Sequence, residues 1–356
     1  MKIAVIGAGL VGRLLSMRLY QEDFTDLYLF DQDYKSKSTS PAIIAAGMLA
    51  PFGESVAGGE LIYRLGINSI PLWRQYLITL ENINLLNSTG TLLIAEPNFY
   101  NDVKHYIDKM NFYTNSRDYY QIVDQAKLQL LEPELQFNQA HFLPGDGVIN
   151  ATAVMNSLSN YLENKIAWIH NCKVTDVDND GKFTATPLNK NFQSSNNFDL
   201  VFDCRGIGAK EIFKSLRGVR GEIIRVHAPE VNITRPIRLF HPRHNIYIVP
   251  YGNNHYAVGA TEIEALDFSP ISVRSTLELL TCLYSVHSGF AKARIMSSDT
   301  SCRPALPDNL PQIKSKNKLI AINGLYRHGF LLAPSLVEEI INYIKTGTKK
   351  INEVWS

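Results

Sequence analysis

Ile3-Ala-Val-Ile-Gly7-Ala-Gly9-Leu-Val-Gly12-Arg13, at the start of the chain, reads as a short apolar strand running directly into G-x-G-x-x-G. Binding a dinucleotide pyrophosphate requires this arrangement. Gly7 allows the tight turn out of the strand, Gly9 presents no Cβ to the phosphates, and Gly12 lets the following helix pack closely on the sheet. Ala8, Leu10 and Val11 complete the turn, and the helix N-terminus faces the anion. Taken alone the motif is weak, because an ordinary connection with three glycines would read the same way. Its surroundings strengthen it: helical spacing over Leu14–Gln21 leads to a second apolar strand, Leu27-Tyr-Leu-Phe30, which ends in Asp31 and Gln32. A carboxylate at that position accepts from an adenosine ribose hydroxyl. The expected ligand is therefore FAD or NAD.

The length, 356 residues, corresponds to about two domains. With 45% hydrophobic and 19% charged residues the composition is that of an ordinary globular protein. Thirty-five basic residues against 34 acidic ones leave no electrostatic footprint for nucleic acid or an anionic membrane. Cys172, Cys204, Cys282 and Cys302 form no C-x-x-C pair, so neither a zinc site nor a disulfide framework is expected. No metal is expected, and His241, His244 and His328 read as packed or solvent-facing side chains. The apolar N-terminus is broken by glycines and continues into the nucleotide motif, unlike a signal peptide. No run reaches the ~18 apolar residues of a membrane helix. The expected compartment is the cytoplasm.

No repeat is visible, so organisation must come from alternating strands and helices. A polar loop, Asp33–Ser40, precedes the small-residue run Ala42-Ile-Ile-Ala-Ala-Gly-Met-Leu-Ala-Pro51, where backbone can pass close to a planar ligand or simply lead into a helix. The helical stretch Gly59–Leu80 carries Leu61, Leu65, Leu72, Tyr76 and Leu80 on one face, and Pro71 is expected to kink or split it. Residues 90–145 mix a strand, Thr91–Ala95, with helices Asn101–Met110 and Val123–Leu131. Asn150 reads as the N-cap of a helix over Thr152–Asn164, followed by strand Ile166–Ile169 and the polar loop Asn189–Asn197. Leu200-Val-Phe-Asp-Cys204 then enters Gly206-x-Gly208, a second strand meeting a glycine turn, which suggests a nucleotide domain assembled from separated segments. Strands follow over Glu222–Val226, Ile237–Phe240, Ile246–Val249 and His255–Val258, with a hairpin turn at Tyr251-Gly-Asn-Asn254. Helical spacing returns over Ser272–Ser285. The last segment is strand Lys318–Ile322, glycines Gly324 and Gly329, and a helix after Pro334. That glycine-lined turn offers free N–H groups at a second helix N-terminus, or merely closes the domain.

Several separated stretches together resemble the glycine oxidase and D-amino acid oxidase family of FAD enzymes. They are Gly7–Gly12 with Asp31, Ala45-Ala-Gly-Met-Leu-Ala-Pro51, Val219-Arg-Gly-Glu222, Tyr247-Ile-Val-Pro250, Val258-Gly-Ala-Thr261, Arg303-Pro-x-x-Pro-Asp308 and Gly324-Leu-Tyr-Arg-His-Gly-Phe-Leu-Leu-Ala-Pro334. The glycine oxidase branch, associated with thiamine biosynthesis, is the most similar. The resemblance implies an α/β fold, with an FAD-binding Rossmann-like domain of the D-amino acid oxidase type and an inserted antiparallel-sheet substrate domain. Residues 1–85, 146–220 and 300–356 would form the first, and residues 86–145 and 221–299 the second.

By the same resemblance Tyr247 and Arg303 grip a substrate carboxylate, a reading supported by the planar fork a guanidinium offers. Arg327 lies beside flavin and substrate. The cofactor is implied to contact Ala45, Ala46, Gly47 and Met48, the backbone of Val174, the loop Cys204-Arg205-Gly206, Arg303 itself, and Gly324, Tyr326, Arg327, His328, Gly329, Phe330 and Leu331. The implied reaction oxidises the C–N bond of a small amino acid or amine to an imine by hydride transfer to flavin N5. Three positions depart from the family. Glu262 replaces a methionine, and either pairs with a cationic or secondary amine or turns outward. Cys302 replaces an aliphatic residue, at a spacing that resembles the covalent flavin anchor of the sarcosine oxidase branch. Ile313-Lys314 lacks the usual glycine. Competing expectations are a secondary or modified amine of the sarcosine or tRNA-modification type, a quinone-linked D-amino acid dehydrogenase, an NAD-dependent dehydrogenase and a non-catalytic flavin protein. The expected partner is a small-molecule amine; no nucleic acid or membrane span is expected, and a homo-oligomer is left open.

Overall fold

Two sheets carry the architecture. The computed structural model describes residues 1–34, 38–115, 119–187, 197–241 and 244–356; most of the polar loop Asn189–Asn197, and the side chain of His244, lie outside them. The first sheet has six strands in the order Gln312–Lys316, Leu319–Asn323, Leu200–Asp203, Ile3–Ile6, Leu27–Phe30, Ala167–Ile169. All neighbours are parallel except the first pair. Ile3–Ile6 sits among these strands with all four residues buried, as a strand covered on both faces must be. Helices Leu10–Gln21, Pro51–Thr79, Ala151–Leu162 and Gly329–Thr346 share its largest apolar cluster.

The second sheet has eight strands in the order Arg294–Ala305, Arg217–His227, His255–Gly259, His244–Pro250, Ile237–His241, Thr91–Ala95, Gln139–Leu143, Gln121–Asp124. It is antiparallel apart from the junction between Ile237–His241 and Thr91–Ala95. Cross-strand partners share a face. One face carries Leu92, Ile237, Ile248, Val258 and Ile224, which pack with Leu279 and Leu283 of helix Val273–Val286. Ser272 caps that helix, its side chain accepting from Ser275 N, and Asn150 caps Ala151–Leu162 by accepting from Ala153 N. The opposite face is the one that matters for chemistry. A small three-stranded sheet and a two-stranded one complete the fold.

Three local expectations are corrected. The long helix begins at Pro51 rather than Gly59 and is broken at Gly59, φ +71°, while Pro71 lies inside its second part; the absent Cβ, not the pyrrolidine ring, permits the break. The last helix begins at Gly329, so Pro334 lies within it. Proline there removes the N–H that would reach the Phe330 carbonyl, and Trp73 Nε1 donates to that carbonyl instead at 2.7 Å. Val123 and Asp124 belong to a strand, and the helix that follows is only Gln125–Leu131, with Asp124 as its N-cap. Among the described residues no helix is long and apolar enough to cross a membrane.

Candidate active site

A cavity of about 740 Å³ runs from the glycine turn of the parallel sheet to the free face of the antiparallel one. At the first end the helix Leu10–Gln21 has Gly9 as N-cap, no side-chain cap and no acidic residue in its first turn. Its first N–H groups are therefore available to an anion. A Cβ on Gly9 would meet only Ser40 Oγ at 3.4 Å, whereas one on Gly12 would stand 1.9 Å from the Gly7 carbonyl oxygen. Gly9 thus leaves room for a ligand and Gly12 for the helix. Asp31 accepts from the N–H groups of Ala8 and Asp33; burial raises its pKa, against those hydrogen bonds. Arg205 forks onto Asp203 and donates to the Val174 carbonyl at 3.0 Å. A second uncapped helix N-terminus, that of Gly329–Thr346, opens on the same cavity, and a Cβ on Gly329 would meet nothing within 4 Å. Two free helix N-termini, small residues and a carboxylate beside a long cleft fit FAD.

The other end is built on one face of the antiparallel sheet, with Arg303 four residues along its strand from Asp299, which ends the row of Tyr247 and Arg238. Ile223 pairs with Gly259, Gly259 with Tyr247, Tyr247 with Arg238, and Arg238 with Leu93. Val219 pairs with Arg303 and Gly221 with Ser301. The alternation of strand side chains puts all of these on the face that looks toward the cavity. Arg303 lies across Gly221, where a Cβ would sit 2.3 Å from its Nη2. Its Nη1 donates to the carbonyls of Thr261 at 3.0 Å and Arg220 at 3.5 Å. Among the described residues no carboxylate lies within 4.0 Å of it. A guanidinium with unused donors and no carboxylate in ion-pair contact, in a partly buried pocket, is a receptor for an anion.

Arg327 is engaged differently. Its Nε donates to Glu54 Oε2 at 2.7 Å, its Nη1 to Glu262, and the Tyr326 hydroxyl donates to Glu262 at 2.9 Å. Glu54 also accepts from Arg238 Nη2 at 3.1 Å, and His328 Nδ1 approaches it to 3.1 Å. Burial pushes the Glu54 carboxyl up, but Arg327 and Arg238 outweigh it and hold the group well below the usual range. Glu262 follows the same pattern, with Arg327 lowering it against burial. Burial lowers the His328 imidazole against the pull of Glu54 and raises the Tyr247 phenol.

Every residue expected to hold cofactor or substrate lines this cavity except Ala8, Gly12 and Gly324. Ala8 acts through its N–H, Gly12 lies beneath the turn, and Gly324 takes φ +78° with no room for a side chain against the Leu310 carbonyl. Glu262 does not stand free for a cationic substrate, since Arg327 already neutralises it. Cys302 points away from Arg303, as neighbours on a strand do, and its thiol contacts the Asp267 carbonyl at 3.2 Å. Glu54, Arg238 and Tyr106, a cavity-lining phenol that donates to the Gly53 carbonyl at 2.8 Å, were not foreseen. One signal existed for Arg238: an arginine in the apolar strand Ile237–Phe240, two strands' alternation in phase with Tyr247. Glu54 had none, because its partners come from distant segments.

Residues 2–341 match the sequence model of the DAO family, described as FAD dependent oxidoreductase. The candidate thiamine biosynthesis oxidoreductase ThiO of Rhizobium etli is 32% identical over 97% of this chain and 97% of its own length. Among solved structures, glycine oxidase from Geobacillus kaustophilus superposes with a TM-score of 0.82 at 20% identity, over 97% of this chain and 94% of that one. Iminodiacetate oxidase from Chelativorans sp. BNC1 gives 0.79 at 18% identity, over 98% and 97%.

Proposed function

The chain belongs to the FAD dependent oxidoreductase family and is an FAD enzyme, and on that premise we propose that it oxidises the C–N bond of a small amino acid or amine to the imine. The observation that carries this reading is Arg303, a guanidinium bonded only to carbonyls beside Tyr247, in the same cavity as the dinucleotide turn. Bound FAD supplies the two-electron acceptor for such a reaction. Arg303 and Tyr247 hold the carboxylate of the substrate, and the sheet face on which they stand fixes the Cα–H direction. Glu262 joins the segment after Thr261 to the turn at Tyr326-Arg327 beside the cavity. Glu54 positions Arg327 and remains ionised. The names of the relatives, a glycine oxidase, an iminodiacetate oxidase and a thiamine-pathway oxidoreductase, support an amino acid substrate.

The two sheets support a division into a discontinuous FAD-binding unit and a substrate-binding unit. The strands Arg217–His227 and Arg294–Ala305 run across the expected boundaries at 220 and 299, so the junction lies inside the second sheet. Four free cysteines are consistent with a reducing cytoplasm. The test is anaerobic mixing of the yellow holoenzyme with a panel of amino acids and amines. Bleaching of the flavin by carboxylate-bearing amines is expected; no bleaching by any of them overturns the reading.

A further inference from the structure

Arg238 is a second guanidinium on the cavity face, on the far flank of Tyr247 from Arg303. The strand order places Arg303, Gly221, Gly259, Tyr247 and Arg238 on five successive strands. Its side chain is 11% exposed and lines the cavity. Its one hydrogen bond among the described residues is Nη2 to Glu54 Oε1 at 3.1 Å; Nη1 is enclosed over Gly53 and has no acceptor. A guanidinium has five N–H donors, and buried donors are almost always satisfied. Gly53 is what admits it, since a Cβ there would lie 2.1 Å from Nη1. Glu54 balances the charge of Arg238, so the group can donate without adding to the single positive charge that Arg303 presents.

We propose that Arg238 forms a second hydrogen-bond-donor subsite, so that the preferred substrate is an amino acid bearing a second carboxylate or carboxamide oxygen on the substituent distal to the carboxylate held by Arg303. A ligand bound at Arg303 and Tyr247 extends across the sheet face toward Arg238, the neighbour of Tyr247 on the next strand. Its far oxygen then takes the N–H donors of Arg238 on the side of the guanidinium that lines the cavity; Nη1, closed off over Gly53, is not among them. This rests on the amine-oxidising reading, but binding tests it independently of turnover.

The experiment uses the holoenzyme and reads the perturbation of the flavin spectrum by non-reacting acids. Acetate and propionate are compared with malonate, succinate and glutarate, and with the monoamide of succinate. One added hydrogen bond to a charged donor is expected to tighten the best difunctional acid about 10- to 100-fold over the matched monoacid. Arg238→Gln and Arg238→Lys are measured in parallel, with flavin content and thermal melting as checks on folding. The ratio is expected to collapse in Arg238→Gln and to persist in part in Arg238→Lys. Equal affinities for mono- and difunctional acids in the unmodified protein overturn the proposal, as does a ratio that survives Arg238→Gln. Anaerobic reduction by sarcosine against iminodiacetate separates the two readings. If both bleach the flavin at equal rates, the subsite is wrong and the oxidase reading stands; if neither does while the diacids still bind preferentially, the reverse holds.

Discussion

At the scale of single residues, the site is defined by which charges are matched. Arg303 faces the cavity with only carbonyl partners, whereas Arg327 and Arg238 lean on Glu54. Arg303→Ala is therefore expected to keep FAD and to lose substrate-driven flavin reduction by about two to three orders of magnitude, through loss of a charge-assisted fork. Unchanged reduction kinetics would remove Arg303 from the site. Asp146 is the opposite case: 1% exposed, with neither carboxylate oxygen hydrogen-bonded. Burial raises its pKa from 3.8 to about 7. Because the folded value is the higher one, the fold favours the protonated form. That contribution is complete below the unfolded value and is lost as pH rises through about 7, up to about 4 kcal/mol. Asp146→Asn should thus leave stability at pH 4 nearly unchanged and raise it relative to the parent at pH 8. Melting curves that run parallel between the two across this range would exclude a buried titration at Asp146.

Elements depend on one another for hydrogen bonds that the sequence cannot assign. The helix Gly329–Thr346 tolerates Pro334 because Trp73, on the helix Pro51–Thr79, donates to the carbonyl that proline leaves free. The two rings of Trp73 and Phe330 also stack, with centroids 5.8 Å apart. Trp73→Phe keeps most of that packing and is expected to cost about 1–3 kcal/mol, the penalty for a buried carbonyl without a donor. Restoring the N–H with Pro334→Ala should reduce that cost. Denaturant midpoints of the two single variants and the double variant measure the coupling; strict additivity would mean that the indole does not replace the missing N–H. The break at Gly59 is of the same kind, a conformation that belongs to the packing of the helix rather than to its propensity.

The whole molecule sets two sheets around one elongated cavity, with the nucleotide turn at one end and the row Tyr247–Arg238 at the other. A ligand that touches both ends stabilises the folded state by mass action. FAD at about 100 times its dissociation constant should contribute about 2.7 kcal/mol, a rise of several degrees in melting temperature for a chain of this size. Removal of FAD should lower the melting temperature and readdition should restore it, with NAD ineffective. An equal effect of NAD would contradict the assignment of the cleft to a flavin.

The dinucleotide turn was legible in the chain itself because glycine requirements are local: Gly7, Gly9 and Gly12 act within one strand, one turn and one helix. The strands Ile237–His241 to His255–Gly259 were legible for a similar reason, since alternation and a turn signal at Tyr251–Asn254 are short-range. The resemblance extended this to Tyr247, Arg303 and Arg327, whose positions follow motifs. Glu54 could not be read in advance. Its function arises from Arg238, Arg327 and His328, which come from remote segments, and charge matching is a property of distances rather than of order along the chain. For the same reason Glu262, open in the sequence to an amine or to solvent, has its partner chosen by tertiary contact with Arg327 and Tyr326. The sequence alone determined a dinucleotide cofactor, which the resemblance narrowed to FAD, and the alternation of the sheets; only the folded chain decided which arginine is left without a carboxylate in contact, because that requires every competing partner to be placed in space.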